Sequence, residues 1–320
     1  MSIEPKYDMV ICTSAIGETY HSMLKIMAPT VKYYANKHNI DYFINGQTSR
    51  FDSSRPPSWD KLILMRHLLK YYKTVMWIDA DAIICNPNHD IRKDINHDFP
   101  MQLVTHFGIK PLFPNCGIWL IQQDPRSFEL LEEIWAQTNF INHPWWEQGA
   151  LLKLLGYKAG YTGKRKVHFY GPTKYSSWVG PLDLKWNSRP TESDVAENPA
   201  IMHFVFVPLH IRIKKMKKQY KNFLNVIQVS EFVKKLNSKH LKNKKPSIVL
   251  FKRTQKSLKP IKFIYKNELD YLSMIKKQLR NKQLTGVIIL NDFAHRDYAI
   301  SYLKKRGLKI NRNLFILDSH

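Results

Sequence analysis

Apolar positions in the first part of the chain alternate between short continuous runs and stretches with helical spacing. Residues 8–12 (Asp-Met-Val-Ile-Cys) are a short apolar run that predicts a strand, ending in Thr13-Ser14-Ala15-Ile16-Gly17. From about Tyr20 to His38 the spacing is that of an amphipathic helix, and Ile40 to Ile44 predicts a second strand. Ser58-Trp59-Asp60-Lys61 opens another helix, with Leu62, Met65, Leu68 and Leu69 on its apolar face. Thr74-Val75-Met76-Trp77-Ile78 follows as a strand rich in β-forming residues. This strand–helix–strand–helix–strand order predicts an α/β fold with a mainly parallel sheet covered on both faces. Ligands of open α/β sheets bind beyond the carboxyl ends of the strands. The Thr13–Gly17 loop and the Asp79-Ala80-Asp81 turn both fall there, far apart in sequence and expected close in space.

Between 181 and 202 the periodicity breaks up around Pro181, Pro190 and Pro199, and resumes at Ile201-Met202-His203-Phe204. A lysine-rich helical segment runs from Arg212 and ends in Lys242-Asn243-Lys244-Lys245-Pro246, which reads as a linker. Beyond it the pattern predicts strand Ser247–Phe251, helix Glu268–Arg280, strand Gly286–Leu290, helix His295–Lys305 and strand Leu314–Leu317. The expected division is a large domain over 1–236, a basic linker over 237–246 and a small α/β unit over 247–320. No internal repeat is evident.

Composition narrows the classes. With 44% hydrophobic and 12% aromatic residues among 320, a real core is feasible and disorder over most of the length is excluded. No apolar run reaches the roughly 18 residues of a membrane-spanning helix, and Met1-Ser2-Ile3-Glu4-Pro5-Lys6 lacks the layout of a signal peptide. Cys12, Cys85 and Cys116 are scattered, odd in number and set in apolar segments, which fits buried thiols in a reducing compartment better than disulfides or a zinc cluster. Cytoplasmic placement, in a cell or in a viral or intracellular-parasite compartment, is the expectation. The net charge of +24 attracts polyanions of any kind but, in a chain rich in Lys, Asn and Ile, names no partner.

Ile78-Asp79-Ala80-Asp81-Ala82 sets two carboxylates two residues apart just past a buried strand. Both can project from an extended turn onto one hard divalent cation such as Mn²⁺ or Mg²⁺, which keeps coordination positions for substrate phosphates. Such an ion would neutralise charge on a departing diphosphate. Three readings stay open on these residues alone: two acids solvating a strand end, the metal pair, and a nucleophile. The last arises because Asp79-Ala80-Asp81-Ala82-Ile83-Ile84 resembles the motif of haloacid-dehalogenase-like phosphatases, with Asp79 as the phosphorylated residue.

The wider pattern resembles the Asp-x-Asp-containing galactosyl-, xylosyl- and mannosyltransferase family, similar to glycosyltransferase family 34, with glycogenin-like relatives. Five places in order carry the resemblance, from about Met9 to Phe204: Ser58-Trp59-Asp60-Lys61-Leu62; Trp77-Ile78-Asp79-Ala80-Asp81-Ala82; Asn115-Cys116-Gly117-Ile118-Trp119-Leu120-Ile121 with the Ser127 to Trp135 helix; Trp145-Trp146-Glu147-Gln148-Gly149-Ala150; and Trp186-Asn187 followed by Ile201-Met202-His203-Phe204. The resemblance implies the GT-A nucleotide-diphospho-sugar transferase fold, with its mixed, mainly parallel sheet flanked by helices. It implies retaining transfer from a UDP- or GDP-sugar, UDP favoured, to a glycan or protein hydroxyl. It further implies that Asp79 and Asp81 hold a metal, Mn²⁺ preferred, with His203 as a third ligand; the other reading of His203 is a satisfied core histidine.

Around that centre, Thr13, Ser14 and Ala15 are expected to cradle the nucleoside, and Ala80 is counted among the donor-binding residues. Lys61 is expected at the donor phosphates or ribose, or else as a solvated helix-face lysine. Asn115, with its amide donors and carbonyl, is suited to sugar hydroxyls. Glu147 and Gln148 are expected to orient the sugar or support positive charge at its anomeric carbon, or else to cap a helix behind a core pair of tryptophans. Residues 246–320 lie outside the resemblance. A non-enzymatic reading, a basic binder of nucleic acid or acidic glycans, explains the charge and the basic segment but not five motifs in order; no specific nucleic acid is expected, and peripheral contact with acidic surfaces is compatible.

Overall fold

The computed structural model describes residues 3–46, 50–107, 111–162, 164–191, 193–240, 248–253, 258–264, 275, 286–289 and 296–317. They form two compact units: Met1–Ile84 with His89–Tyr220, and Cys85–Asn88 with Lys221–His320.

The first unit opens with β1 (Met9–Ser14), α1 (Glu18–His38) and β2 (Asp41–Asn45). Asn39 closes α1 in the left-handed conformation, φ 55°, which an Asn tolerates better than a branched residue. There follow α2 (Asp60–Leu68), β3 (Thr74–Ile78), β4 (Ala82–Ile84), β5 (Met101–His106) and β6 (Phe113–Gln122). α3 (Pro125–Ala136) starts where Asp124 accepts a hydrogen bond from Arg126 N and Pro125 takes the first helical position. Then come α4 (Trp146–Leu154), the hairpin β7 (Tyr157–Thr162) and β8 (Lys164–Phe169), β9 (Val179–Pro181) and β10 (Ile201–His203).

Six strands make the central sheet in the order β2-β1-β3-β6-β5-β9. The pairs β1–β2, β1–β3 and β5–β9 are parallel, β3–β6 and β5–β6 antiparallel. The sheet is thus the mixed, mainly parallel one expected. β3 is buried throughout, as a strand covered on both faces must be. One face packs α2, α3 and α4 through Leu62, Met65, Leu68, Leu130, Ile134 and Leu151 onto Val75, Trp77, Trp119 and Ile121. Two features aim the site. The β1–β3 register places Cys12 beside Trp77, so the ends of β1 and β3 are neighbours. A bulge in β6, where the β5–β6 pairing jumps from Trp119 to Asn115, frees Cys116 to Ile118 from β5.

The helix α5 (Leu209–His240) is shared, with residues to Tyr220 in the first unit and those from Lys221 in the second. The second unit adds β11 (Ile248–Arg253), β12 (Leu258–Ile264), β13 (Gly286–Ile289), α6 (Arg296–Lys305) and β14 (Leu314–Ile316), with strand order β12-β11-β13-β14. Alternation builds two cores. Val249, Phe251, Ile288 and Phe315 meet Val226, Val229 and Val233 of α5 on one face, while Ile248, Leu250, Val287, Ile289 and Leu314 meet Ile275, Ile300 and Leu303 on the other. β12 was not expected from the sequence. Apart from Ile275, the expected helix Glu268–Arg280 lies outside the described residues, as does 241–246 of the expected linker.

Candidate active site

The turn after β3 holds the acid pair. Ala82 N donates to Asp79 O at 2.9 Å, and Asp79 N donates to Gly117 O at 2.8 Å, tying the turn to the bulge of β6. β10 pairs antiparallel with β4, setting His203 opposite Ala82, and Phe204 N donates to Asp81 O at 3.1 Å. Residues far apart in sequence are thereby locked side by side. His203 Nε2 lies 3.2 Å from Asp81 Oδ1 and 3.8 Å from Asp79 Oδ2. One ligand atom from each of Asp79, Asp81 and His203 falls within 4.8 Å of the others. A Cβ at Gly117 would stand 2.1 Å from His203 Cε1, so this glycine is what lets the imidazole reach the acids.

Each of the three side chains has one atom engaged and one left toward the others. Asp79 Oδ1 accepts from Trp77 Nε1 at 2.6 Å and from Lys61 Nζ at 3.2 Å. Asp81 Oδ2 accepts from Arg212 Nη1 at 2.7 Å. His203 Nδ1 lies 2.9 Å from Asn187 Oδ1, and its buried Nε2 has no hydrogen-bond partner. Burial works against ionisation of Asp81, but His203 and Arg212 outweigh it and hold the carboxyl below its usual range.

Lys61 is not a solvated helix-face lysine. It is buried, 3% exposed, and its three N–H donors go to Asp79 Oδ1, to Cys116 O at 3.1 Å and to Glu147 Oε1 at 2.7 Å. Burial alone would lower its pKa, yet the carboxylates of Asp79 and Glu147 raise it, so the ammonium stays charged. Glu147 sits in the first turn of α4, after Trp146 in the left-handed region at φ 41°, a conformation that costs a residue of this kind on the order of 1–3 kcal/mol. Its carboxyl is pushed up by burial and pulled back in part by Lys61, and its Oε2 is buried without a partner. The two tryptophans ahead of it are not both core: Trp145 stacks on Phe113 at 5.5 Å, whereas Trp146 is exposed.

Asn115 is a buried hub of β6 rather than a turn residue. Its Oδ1 accepts from Gly117 N at 3.0 Å and Asn187 Nδ2 at 2.9 Å, and its Nδ2 donates to Gln148 Oε1 at 3.2 Å. Gln148 Oε1 also accepts from Cys116 N at 3.0 Å. At the end of β1, Ser14 Oγ accepts from Asn45 Nδ2 at 3.1 Å, Ala15 N donates to Asn45 O at 3.0 Å, and the buried Thr13 hydroxyl has no partner. Ala80 is buried within the turn between the two acids. Cys12, Cys85 and Cys116 are buried and none is in a disulfide, and burial lifts the thiol pKa of Cys12 and Cys116, as inert core thiols require.

Sequence reasoning assigned no role to Arg212, Asn187 or Trp77. Trp77 and Asn187 lay inside quoted motifs, and Arg212 only at the head of a basic segment, with no signal that it reaches Asp81.

The segment that carries the acid pair assigns the chain to the glycosyltransferases. Residues 7–107 match the galactosyl transferase GMA12/MNN10 family, a segment that contains Lys61, Asp79 and Asp81, while Asn115, Glu147, Gln148 and His203 lie beyond it. No curated protein matches the chain. Among solved structures, it is similar to a glycosyltransferase involved in glycosylation of the major capsid of PBCV-1, at 14% identity and TM-score 0.47, over 66% of this chain and 98% of that one. It is similar to the galactosyltransferase LgtC in complex with donor and acceptor sugar analogs, at 11% identity and TM-score 0.43, over 67% and 95%. The glycosyltransferase GlyE of Streptococcus pneumoniae TIGR4 aligns over 98% of this chain and 82% of its own, at 11% identity and TM-score 0.42. Among the described residues no helix is long and apolar enough to cross a membrane.

Proposed function

We propose that the protein is a divalent-metal-dependent glycosyltransferase that moves a hexosyl or pentosyl group from a UDP- or GDP-sugar to a hydroxyl of a glycan or protein, with retention of anomeric configuration. The observation that carries this reading is the convergence of Asp79, Asp81 and His203 within 4.8 Å beyond the carboxyl end of β3. The donor set fits a cation, because a buried imidazole nitrogen without a hydrogen-bond partner faces two carboxylates. Two carboxylate oxygens with one neutral imidazole suit Mn²⁺, and Mg²⁺ next, better than Ca²⁺. When bound, the ion supplies Lewis-acid neutralisation of the departing diphosphate.

The chain's own residues account for the remainder. Thr13 at the end of β1 brings a buried, unpaired hydroxyl to the edge where a nucleoside would lie. Lys61 clamps Asp79 and Glu147 and keeps both oriented. Glu147, held through Oε1, keeps Oε2 for a sugar hydroxyl or for positive charge growing at the anomeric carbon. Asn115 and Gln148 fix the floor beside it. The glycosyl bond to the diphosphate breaks with its electron pair passing to the phosphate oxygen, while the acceptor oxygen bonds to the anomeric carbon from the same face. Its proton passes to the departing diphosphate. Three buried cysteines outside any disulfide support a reducing, cytoplasmic setting.

A thermal-shift panel of nucleotide sugars with and without Mn²⁺ tests this. A ligand bound only by the native state at about 100 times its Kd stabilises by about 2.7 kcal/mol, so one UDP- or GDP-sugar should raise the Tm only when Mn²⁺ is present. No shift with any nucleotide sugar plus metal would overturn the reading. Phosphorylation of Asp79 by a phosphate ester would favour the phosphatase instead.

A further inference from the structure

Imidazole ligates a cation through a nitrogen that carries no proton, so a histidine ligand must hold its single proton on the other nitrogen. His203 offers Nε2 to the acid pair, and what decides the location of its proton is the group at Nδ1. That group can be traced back to two backbone amides whose polarity is fixed. Cys116 N–H makes Gln148 Oε1 an acceptor, so the Asn115 group that meets it is the amide NH₂. Gly117 N–H independently makes the other end of Asn115 the carbonyl. The Asn187 group that meets this carbonyl is therefore NH₂, which turns the Asn187 carbonyl onto His203 Nδ1 at 2.9 Å. A carbonyl accepts, so Nδ1 carries the proton and Nε2 keeps its lone pair. Asn115, Asn187 and His203 are buried, Asn187 wholly so, and Gln148 at the start of the relay is half-buried.

The alternative tautomer has an evident attraction: with its proton on Nε2, His203 would donate to Asp81 Oδ1, only 3.2 Å away. That hydrogen bond would occupy the nitrogen a cation needs. We propose that Asn187 is the positioning residue that selects the Nδ1–H tautomer of His203 and so keeps Nε2 open for the divalent cation. The inference rests on the metal-dependent reading above, and it deepens that reading by naming what prepares the third ligand. It also gives Asn115 and Gln148 a task apart from any sugar contact, since they relay the polarity of the β6 bulge to the imidazole.

Two measurements decide it. In metal-free protein labelled with ¹⁵N-histidine, at a pH where the ¹⁵N spectrum itself shows a neutral ring, His203 should carry its proton on Nδ1. In Asn187→Leu, of similar volume but without an acceptor, the proton should move to Nε2. Wild-type protein with the proton on Nε2, or Asn187→Leu with no change of tautomer, overturns the proposal. Separately, Mn²⁺ titration should show Asn187→Leu weakened by roughly 10–100-fold, the range for losing the group that orients a metal-bound histidine. Asn187→Asp, whose carboxylate still accepts from Nδ1–H, should stay within several-fold of wild type even if Asn187→Leu folds poorly. Equal Mn²⁺ affinity of the wild-type and leucine variants, or a loss in Asn187→Asp as large as in Asn187→Leu, overturns it. Wild-type protein that binds no Mn²⁺ overturns the proposed function itself, and the tautomer measurement then still decides what Asn187 does.

Discussion

The sheets of the two units obey the same alternation of buried faces but differ in what they bury. In the second unit the strands β11, β13 and β14 send Val, Ile, Leu and Phe to both sides, and Asn86, Ser230 and Asn311 are the buried polar residues among those described. In the first unit the carboxyl end of the sheet buries Lys61, Asp81, His106, Asn115, Glu147, Asn187, Arg189, Asp194 and His203. Burying charge is unfavourable unless it is paired, and an apolar replacement of similar volume is often as stable or more so. A site that retains so many buried polar groups is therefore organised for binding and chemistry, whereas the second unit is organised for packing.

The largest effect that would break this contrast is on turnover. Asp79→Ala and Asp81→Ala should each lower kcat by on the order of a thousandfold, the loss of several kcal/mol of charge stabilisation, while the protein still unfolds cooperatively. Activity within a few-fold of wild type would remove the acid pair from the chemistry. Next comes stability. Lys61→Met strands the buried carboxylate of Glu147 and should cost about 3–5 kcal/mol in denaturant unfolding, much of it regained by adding Glu147→Leu. Phe251→Ala in the second unit should cost a similar amount through an unfilled cavity, with no charged partner whose removal would restore it. A double variant no more stable than Lys61→Met alone would mean that the pair is not the compensating unit.

Gly117→Ala should be smaller and confined to the site. The added methyl meets the His203 ring, so metal affinity should fall by roughly 10–100-fold while most of the stability is kept. Calorimetric Mn²⁺ titration checks it, and unchanged affinity would show that His203 is not where the ion binds.

The smallest effect concerns pH. His106 is buried and donates from Nε2 to Asn187 O at 2.7 Å, and burial pushes its pKa down to about 4. Its folded value is depressed below the unfolded one, so the unfolded chain binds the extra proton first. This contribution to stability is whole at neutral pH and is lost as pH falls from about 6.5 toward about 4. Between about pH 7 and about pH 5 the loss should be about 2 kcal/mol in the wild type and absent in His106→Gln. Parallel pH dependences in the two proteins would show that another group governs this range.

Much of the scaffold was legible from the chain. Strands at 9–14, 41–45 and 74–78 and the helices between them follow from apolar runs and helical spacing, because burial of one face leaves a periodic trace. The strand β12 and the hairpin β7–β8 left no such trace, and their partners, not their own pattern, make them strands. Motif order brought forward Asp79, Asp81, Glu147 and His203 without any distance. Lys61 could equally have been a surface residue, since one lysine at the head of an amphipathic helix looks the same whether or not two carboxylates await it.

What the sequence by itself determined is the elements whose burial leaves a periodic pattern and the acids at the end of β3, since both are local properties. What only the tertiary structure decided is pairing across long separations: Arg212 on Asp81, Asn187 on His203, Lys61 on Glu147, and the room that Gly117 leaves for an imidazole. Those contacts join residues between 16 and 131 positions apart. The packing of β10 on β4 and the bulge in β6 set them, and a polar side chain carries no sign in its own neighbourhood of which distant partner will satisfy it.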